Sequence, residues 1–153
     1  MNRYEHTQQA PLHYLLLLCA VGLLLLSHFS LPDVFSRWIT DLVALVIVFF
    51  AFCFRHLTVR DETDALAVRY GPLPVFRTRI RYRDITAVAR ARSSWIDGWG
   101  IHYLPGRGWT YNLWGFDCVE ISCGSRLVRL GTDDPAGLLA FLETRLAQAP
   151  ASS

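Results

Sequence analysis

The chain lacks the residue patterns that most enzymes need. Its five histidines are scattered, so no nucleophile, base and orienting group are spaced for joint catalysis. Its four cysteines do not show the clustered spacing of a zinc site. The glycines between residues 98 and 115 do not form a Gly-x-Gly-x-x-Gly loop between a strand and a helix. We therefore expect neither catalysis nor a bound cofactor or metal.

Formal charge is absent from the nineteen residues 11–29. A helix of that length crosses the hydrocarbon core of a bilayer, which is about 30 Å thick at ~1.5 Å per residue. A second apolar run, residues 38–54, contains a single charged residue, Asp41, close to its start. An acid in that place can lie among the lipid headgroups. The two runs predict a transmembrane hairpin with spans at about residues 12–29 and 38–54.

Arginine is distributed unequally around this hairpin. The chain has no lysine, and Arg3, Arg55 and Arg60 flank the outer ends of the spans, whereas Arg37 alone lies in the connecting loop. Because basic residues concentrate on the cytoplasmic side, we expect a multi-pass membrane protein with both termini in the cytoplasm. No small-residue cleavage site follows the first run, which disfavours a secretory signal peptide.

From residue 56 onward the apolar residues alternate in steps of two, which indicates β-strands. The clearest hairpin spans residues 118–131, with Gly124 in its turn, and places Glu120 opposite Arg129. An earlier hairpin, residues 56–70, has a four-residue turn in the simplest pairing. Val59 then lies opposite Leu66 and Leu57 opposite Val68.

The C-terminal segment has the pattern of one amphipathic helix. Pro135 suits the first turn of a helix, and Asp133 or Asp134 can cap it. The sequence therefore divides into residues 1–55, which form a cytoplasmic tail and the hairpin, and residues 56–148, which form a cytoplasmic β-domain closed by a helix at 133–148. Residues 149–153 are expected to be a disordered tail.

Residues 98–115 are rich in both glycine and aromatic residues. A Pro-Gly turn folds this segment into a hairpin that pairs Tyr103 with Trp109 and Ile101 with Tyr111. The large side chains then share one face, which we expect to be core. The opposite face is expected to be exposed, and its residues His102 and Asn112 form a candidate partner face.

Three short motifs follow the predicted spans in order: WGI at 99–101, YN at 111–112 and LGTDDP at 130–135. With this arrangement the whole chain resembles small bacterial membrane proteins that carry a PH-like (pleckstrin-homology-like) domain. The resemblance implies an all-β antiparallel barrel or sandwich of about seven strands with a C-terminal capping helix, in proteins that mostly lack a defined activity. Residues 82–88 break the alternation, which predicts a bulge or a short helical turn.

Between residues 69 and 92 the sequence contains seven arginines and one acidic residue, Asp84. Such a row is either a solvated strand face or a surface for anionic lipid or a partner. Nucleic acid is the less favoured ligand, because a tethered domain meets the bilayer first. The candidate face consists of Arg69, Arg77, Arg79, Arg81 and Arg83.

Two functions remain open. The first is a non-enzymatic, membrane-anchored interaction module, a scaffold or assembly factor, that uses the arginine face. The second is an accessory subunit of a membrane enzyme or transporter that contacts its partner through the hairpin. In that case Asp41, Gly22 and Ala20 are the candidate contacts, because small residues permit close helix approach and an intramembrane acid needs a partner. The oligomeric state stays open.

Overall fold

The computed structural model describes residues 3–94 and 99–148. The predicted disordered tail, residues 149–153, lies outside the described residues. The helices are α1 (Leu12–Ser30), α2 (Val34–Cys53) and α3 (Pro135–Gln148). The strands are β1 (Glu5–Gln9), β2 (His56–Glu62), β3 (Ala65–Gly71), β4 (Arg77–Arg81), β5 (Ala87–Arg92), β6 (Gly100–Leu104), β7 (Gly108–Asn112), β8 (Asp117–Cys123) and β9 (Arg126–Gly131). A short 3₁₀ turn at Tyr82–Asp84 confirms the irregularity expected there.

The strands form two sheets that share one core. The first has the order β1-β2-β3-β4 and the second β5-β8-β9-β7-β6. All neighbours are antiparallel except β7 and β9, which run parallel. Buried residues of both sheets meet in the core, where Leu138 and Leu142 of α3 are fully buried. Of the two expected alternatives, a barrel or a sandwich, the barrel is wrong, because the two sheets stay separate among the described residues. The strands there number nine and not about seven.

The N-terminal tail is part of the first sheet. Strand β1 pairs antiparallel with β2, so that Glu5 lies opposite Arg60 and Gln9 opposite His56. This pairing joins the chain that precedes α1 to the chain that follows α2. Both segments therefore lie at the same end of the helical hairpin.

The two N-terminal helices are long and apolar enough to cross a membrane. Their best windows have mean hydropathies of 2.0 and 1.9. Small residues, Ala20 of α1 and Ala44 of α2, are each 1% exposed and are buried within the helix pair. Helix α2 begins four residues earlier than expected, because Asp33 caps it by accepting a hydrogen bond from the Ser36 N–H at 2.8 Å.

The strand register agrees with the predicted one in the β8–β9 hairpin and differs from it in the β2–β3 hairpin. Glu120 lies opposite Arg129, as predicted, and accepts a hydrogen bond from Nε of Arg129 at 2.9 Å. The β2–β3 register is shifted by two residues, so that Val59 lies opposite Val68. The reason is a tighter turn at Thr63 and Asp64, which lets both strands extend further. A shift of two keeps each side chain on its expected face.

Candidate interaction surfaces

Most of the predicted arginine face lies on the outer side of β3 and β4. Arg77, Arg79 and Arg81 are exposed, while Ile80 between them is 6% exposed and points into the core. Arg69 lies directly opposite Arg77, which places two like charges side by side. Four of the five candidate residues are thus on one face, as alternation along a strand requires.

Acidic residues neutralise part of this face. The carboxylate of Glu62 lies between two arginines, 2.5 Å from Nη2 of Arg69 and 2.5 Å from Nη2 of Arg79. Arg83 falls in the 3₁₀ turn, away from the row. Within the described residues, Arg77 and Arg81 form no ion pair. These two charges are therefore available to an external anion.

The beginning of β4 lies against the end of α2. The ring of Phe76 stacks on Phe54 with 5.2 Å between centroids and on Phe50 with 6.3 Å. Arg77 follows directly in the chain, so its charge is close to the end of the hairpin. Because a strand rises about 3.3 Å per residue, Arg79 is up to ~7 Å and Arg81 up to ~13 Å further along β4.

An apolar turn projects beside this aromatic stack. It connects β3 to β4 through residues 72–75, Pro-Leu-Pro-Val. Leu73 is 41% exposed and Val75 is 57% exposed. Two uncovered apolar side chains therefore lie next to the point where α2 ends.

The aromatic hairpin has the predicted register, but only part of its predicted core face is core. Leu113 is 0% exposed, and Ile101 and Tyr111 pack against the core, as expected. Tyr103 lies opposite Trp109 and Ile101 opposite Tyr111, as expected. However, Trp109 is 43% and Tyr103 58% exposed, so these rings are not core. On the opposite face Asn112 is 1% exposed, which contradicts its place on an exposed partner face.

Asn112 is buried because it packs against the neighbouring strands. Its Nδ2 donates a hydrogen bond to the Gly115 carbonyl at 3.0 Å. Its Oδ1 lies only 2.1 Å from the position that a Cβ on Gly131 would occupy. His102 on the same face is half-buried. Whether either residue contacts a partner stays a prediction.

The rings of Trp109 and Tyr111 line an open groove between β4 and the second sheet. The groove has a volume of about 600 Å³. Its floor contains Trp109, Tyr111 and Val128, and Arg81 and Arg126 lie at its margin. Tyr111 packs against the core, whereas Trp109 is 43% exposed. The groove therefore exists because the two sheets do not close on each other.

A buried polar cluster joins α3 to the first sheet, and the sequence did not indicate it. Asp61 accepts hydrogen bonds from the Tyr82 hydroxyl at 2.7 Å and from Nη2 of Arg145 at 3.1 Å. The guanidinium of Arg145 also lies 5.1 Å from the centroid of the Tyr82 ring. Burial, followed by the hydrogen bond to Asp61, raises the pKa of Tyr82. The cluster is a structural clamp, because the buried carboxylate of Asp61 is paired with groups from both the 3₁₀ turn and α3. Among the described residues, the Nε of Arg145 is buried without a hydrogen-bond partner.

The two aspartates before α3 connect that helix to the N-terminal tail. Asp134 caps the helix as predicted, accepting a hydrogen bond from the Gly137 N–H at 2.9 Å. Tyr4 donates its hydroxyl to Asp134 at 3.4 Å, and His6 contacts Asp133 at 2.5 Å. No group of three or more His, Cys, Asp or Glu side chains in residues 3–94 and 99–148 is placed to hold a metal ion.

The small residues and the acidic residue of the α1–α2 hairpin do not lie together. Ala20 lies at the interface between α1 and α2, whereas Gly22 is exposed and has open space beside it. Asp41 is exposed on α2, seven residues after its first residue. At ~1.5 Å per residue this is about 10 Å into the helix. Asp41 is therefore deeper along α2 than the sequence suggested.

No protein-family model matches the chain, and no curated protein compared with it is significantly similar. The resemblance to PH-like membrane proteins therefore stays a prediction.

Proposed function

We propose that this chain is a non-enzymatic, membrane-anchored interaction module. Its hairpin crosses the bacterial inner membrane, and a PH-like β-domain and both termini lie in the cytoplasm. The exposure of the hairpin carries this proposal. Only 11% of each apolar window is buried, whereas the core helix of a soluble protein is mostly covered, and soluble monomers rarely expose large apolar patches.

The pairing of β1 with β2 supports a hairpin that is retained. If α1 were a signal sequence removed after export, β1 would be lost with it and the edge of β2 would be uncovered. The same pairing requires that the tail and the β-domain share one side of the membrane. Arg3, Arg55 and Arg60 belong to that side and Arg37 to the other, which favours the cytoplasm for the domain.

The part of the β-domain next to the end of α2 is best suited to bind anionic lipid. An arginine close to an anionic leaflet gains about 1 kcal/mol, and the effect fades over a Debye length of roughly 8–10 Å. Arg55 follows the last residue of α2 by two positions, Arg77 adjoins Phe76, whose ring stacks on Phe54, and Arg69 lies beside Arg77. The exposed side chains of Leu73 and Val75 then enter the apolar edge of the headgroup layer, so that the domain is oriented on the membrane.

The experiment uses the full chain in nanodiscs, because a fragment that starts at residue 55 lacks β1. Val75→Cys in a Cys19→Ser and Cys123→Ser background carries a polarity-sensitive fluorophore, because these two native cysteines are the ones not buried. We expect a blue-shifted emission with anionic lipid that reverses as salt rises, and Arg77→Gln should reduce this shift. Arg81→Gln is the matched control and should retain it, because that charge lies up to ~13 Å further along β4. Equal emission in neutral and anionic nanodiscs would contradict the lipid assignment.

Asp41 favours a second candidate function, that of an accessory subunit of a membrane enzyme or transporter. Its carboxylate is exposed on α2 about 10 Å from the helix start, and a charge at that depth is costly unless a partner pairs with it. Purification of the full chain in mild detergent should then yield a membrane protein in stoichiometric amount, and Asp41→Asn should release it. Retention of that protein by the variant would exclude Asp41 as the contact.

A further inference from the structure

Strand β4 is one of the two edge strands of the first sheet. Among the described residues it pairs with β3 alone. The Tyr70 N–H donates to the Phe76 carbonyl at 3.0 Å, and the Tyr82 N–H donates to the Asp64 carbonyl at 3.1 Å. Because antiparallel bonding alternates along a strand, the even-numbered residues of this segment face β3. The N–H and C=O groups of Arg77, Arg79 and Arg81 consequently face outward from the sheet.

This edge borders the groove described above. Residues 78–81 form one wall of the groove, and Trp109, Tyr111 and Val128 form its floor. The ring of Trp109 is 43% exposed, with 5.6 Å between its centroid and that of Tyr103. The aromatic and apolar side chains of this floor, set among polar lining residues such as Thr78, Asp84 and Ser125, thus lie beside backbone groups that would receive a strand.

We propose that the free edge of β4 binds an extended segment of a partner protein by antiparallel strand addition. Successive side chains of a strand point to opposite faces. One set would therefore enter the groove over Trp109, and the other would lie directly opposite Arg77, Arg79 and Arg81. The segment that fits has apolar residues in the first set and acidic residues in the second. Main-chain hydrogen bonds would supply affinity, and the two rows of side chains would supply specificity.

Charge complementarity identifies the partner as acidic and excludes a second copy of the chain. Two β4 strands paired antiparallel would place the arginines of both copies on one face, where like charges directly opposite each other are unfavourable. Glu62 neutralises Arg69 and Arg79 in part, but Arg77 and Arg81 form no ion pair within the described residues. Acidic side chains on an added strand would supply the missing counter-charges.

The test uses the full chain in nonionic detergent and a fluorescent seven-residue peptide that alternates Glu and Val. Fluorescence anisotropy should show saturable binding that weakens with salt. The matched peptide that alternates Lys and Val should bind at least tenfold more weakly. No binding of the Glu–Val peptide at millimolar concentration would overturn the proposal.

Backbone methylation of the peptide separates strand addition from charge attraction alone and requires no change in the protein. In an antiparallel pair, residues that lie opposite each other exchange both hydrogen bonds. N-methylation of the Glu residues should therefore weaken binding at least tenfold, whereas N-methylation of the Val residues should change it less than threefold. Equal effects of the two modifications would overturn strand addition.

A protein variant gives an independent measurement. Proline is tolerated at an edge strand where its missing N–H faces solvent, so Arg79→Pro removes one outward donor. Arg79→Gln removes the charge and retains the donor. We expect the proline variant to bind the peptide at least fivefold more weakly than the glutamine variant, with unfolding temperatures measured for both. Equal affinities of two folded variants would overturn the proposal.

This inference deepens the proposed interaction role by naming a class of partner. Its peptide assays contain no bilayer, so their failure would leave the membrane topology and the lipid contact at Arg77 intact. A failure of the nanodisc experiment would likewise leave the binding of peptide unaffected.

Discussion

Removing the carboxylate of Asp61 should be one of the most damaging single changes in the β-domain. The side chain of Asp61 is 5% exposed and pairs with Arg145, whose side chain is 15% exposed. Breaking a buried ion pair by removing one partner costs about 3–5 kcal/mol, because the remaining charge stays buried. Part of the Arg145 guanidinium can regain water, so we expect Asp61→Ala to lower the free energy of unfolding by about 3 kcal/mol.

The assay is urea unfolding of the full chain in nonionic detergent, followed by tryptophan fluorescence. Glu62→Gln is the matched control. Its carboxylate also contacts two arginines, but Arg79 is 68% exposed, and exposed pairs contribute about 0–1 kcal/mol. The double variant Asp61→Leu with Arg145→Met should be more stable than Asp61→Ala, because no unpaired charge remains. If Asp61→Ala and Glu62→Gln had the same effect, the clamp between α3 and the first sheet would be refuted.

Three further changes probe the turn, the pH response and the aromatic hairpin. Gly108→Ala should destabilise the domain far more than Gly106→Ala in urea unfolding. Both glycines have positive φ, 74° at Gly108 and 78° at Gly106. Only at Gly108, however, would a Cβ lie 2.0 Å from the backbone of β9. Burial and the adjacent arginine lower the pKa of His56 from 6.5. The unfolded chain therefore takes up a proton first, so stability should fall as the pH drops below about 6.5, and His56→Gln should reduce this dependence in thermal unfolding. Trp99→Ala should lower the free energy of unfolding less than Leu130→Ala, for which about 2–5 kcal/mol is expected, because Trp99 is 37% exposed and Leu130 is 0% exposed. The reverse order would indicate that Trp99 is a core residue.

The features that were predictable from sequence have local causes. The β8–β9 hairpin follows from alternating residues around Gly124, whose φ of 59° suits a tight turn. The start of α3 follows from Asp134, which caps it. The two long apolar helices follow from composition alone. In each case the deciding residues lie within a few positions of one another.

The features that the sequence did not reveal depend on distant partners. Asp61 lies opposite Leu66 on the buried face of β2, and no local rule places a carboxylate there. Its partner Arg145 is 84 residues further along the chain. Strand β1 consists of five polar residues without alternation, and it forms because the edge of β2 accepts it.

The error in the aromatic hairpin has the same origin. The alternation correctly groups Tyr111 and Trp109 on one face, but alternation does not say how far the opposite sheet extends over them. Tyr111 packs against the core, whereas Trp109 lies in the open groove. Which side chains on a face are covered depends on the length and position of β4, which is a tertiary property.

The central claim is that the hairpin spans the membrane and holds the β-domain in the cytoplasm. Protease digestion of a tag placed after Ser153, in sealed inverted inner-membrane vesicles and in intact spheroplasts, tests it most directly. The tag should be cut in the inverted vesicles and protected in the spheroplasts. Cleavage in intact spheroplasts, or recovery of the full chain in the soluble fraction, would contradict the account.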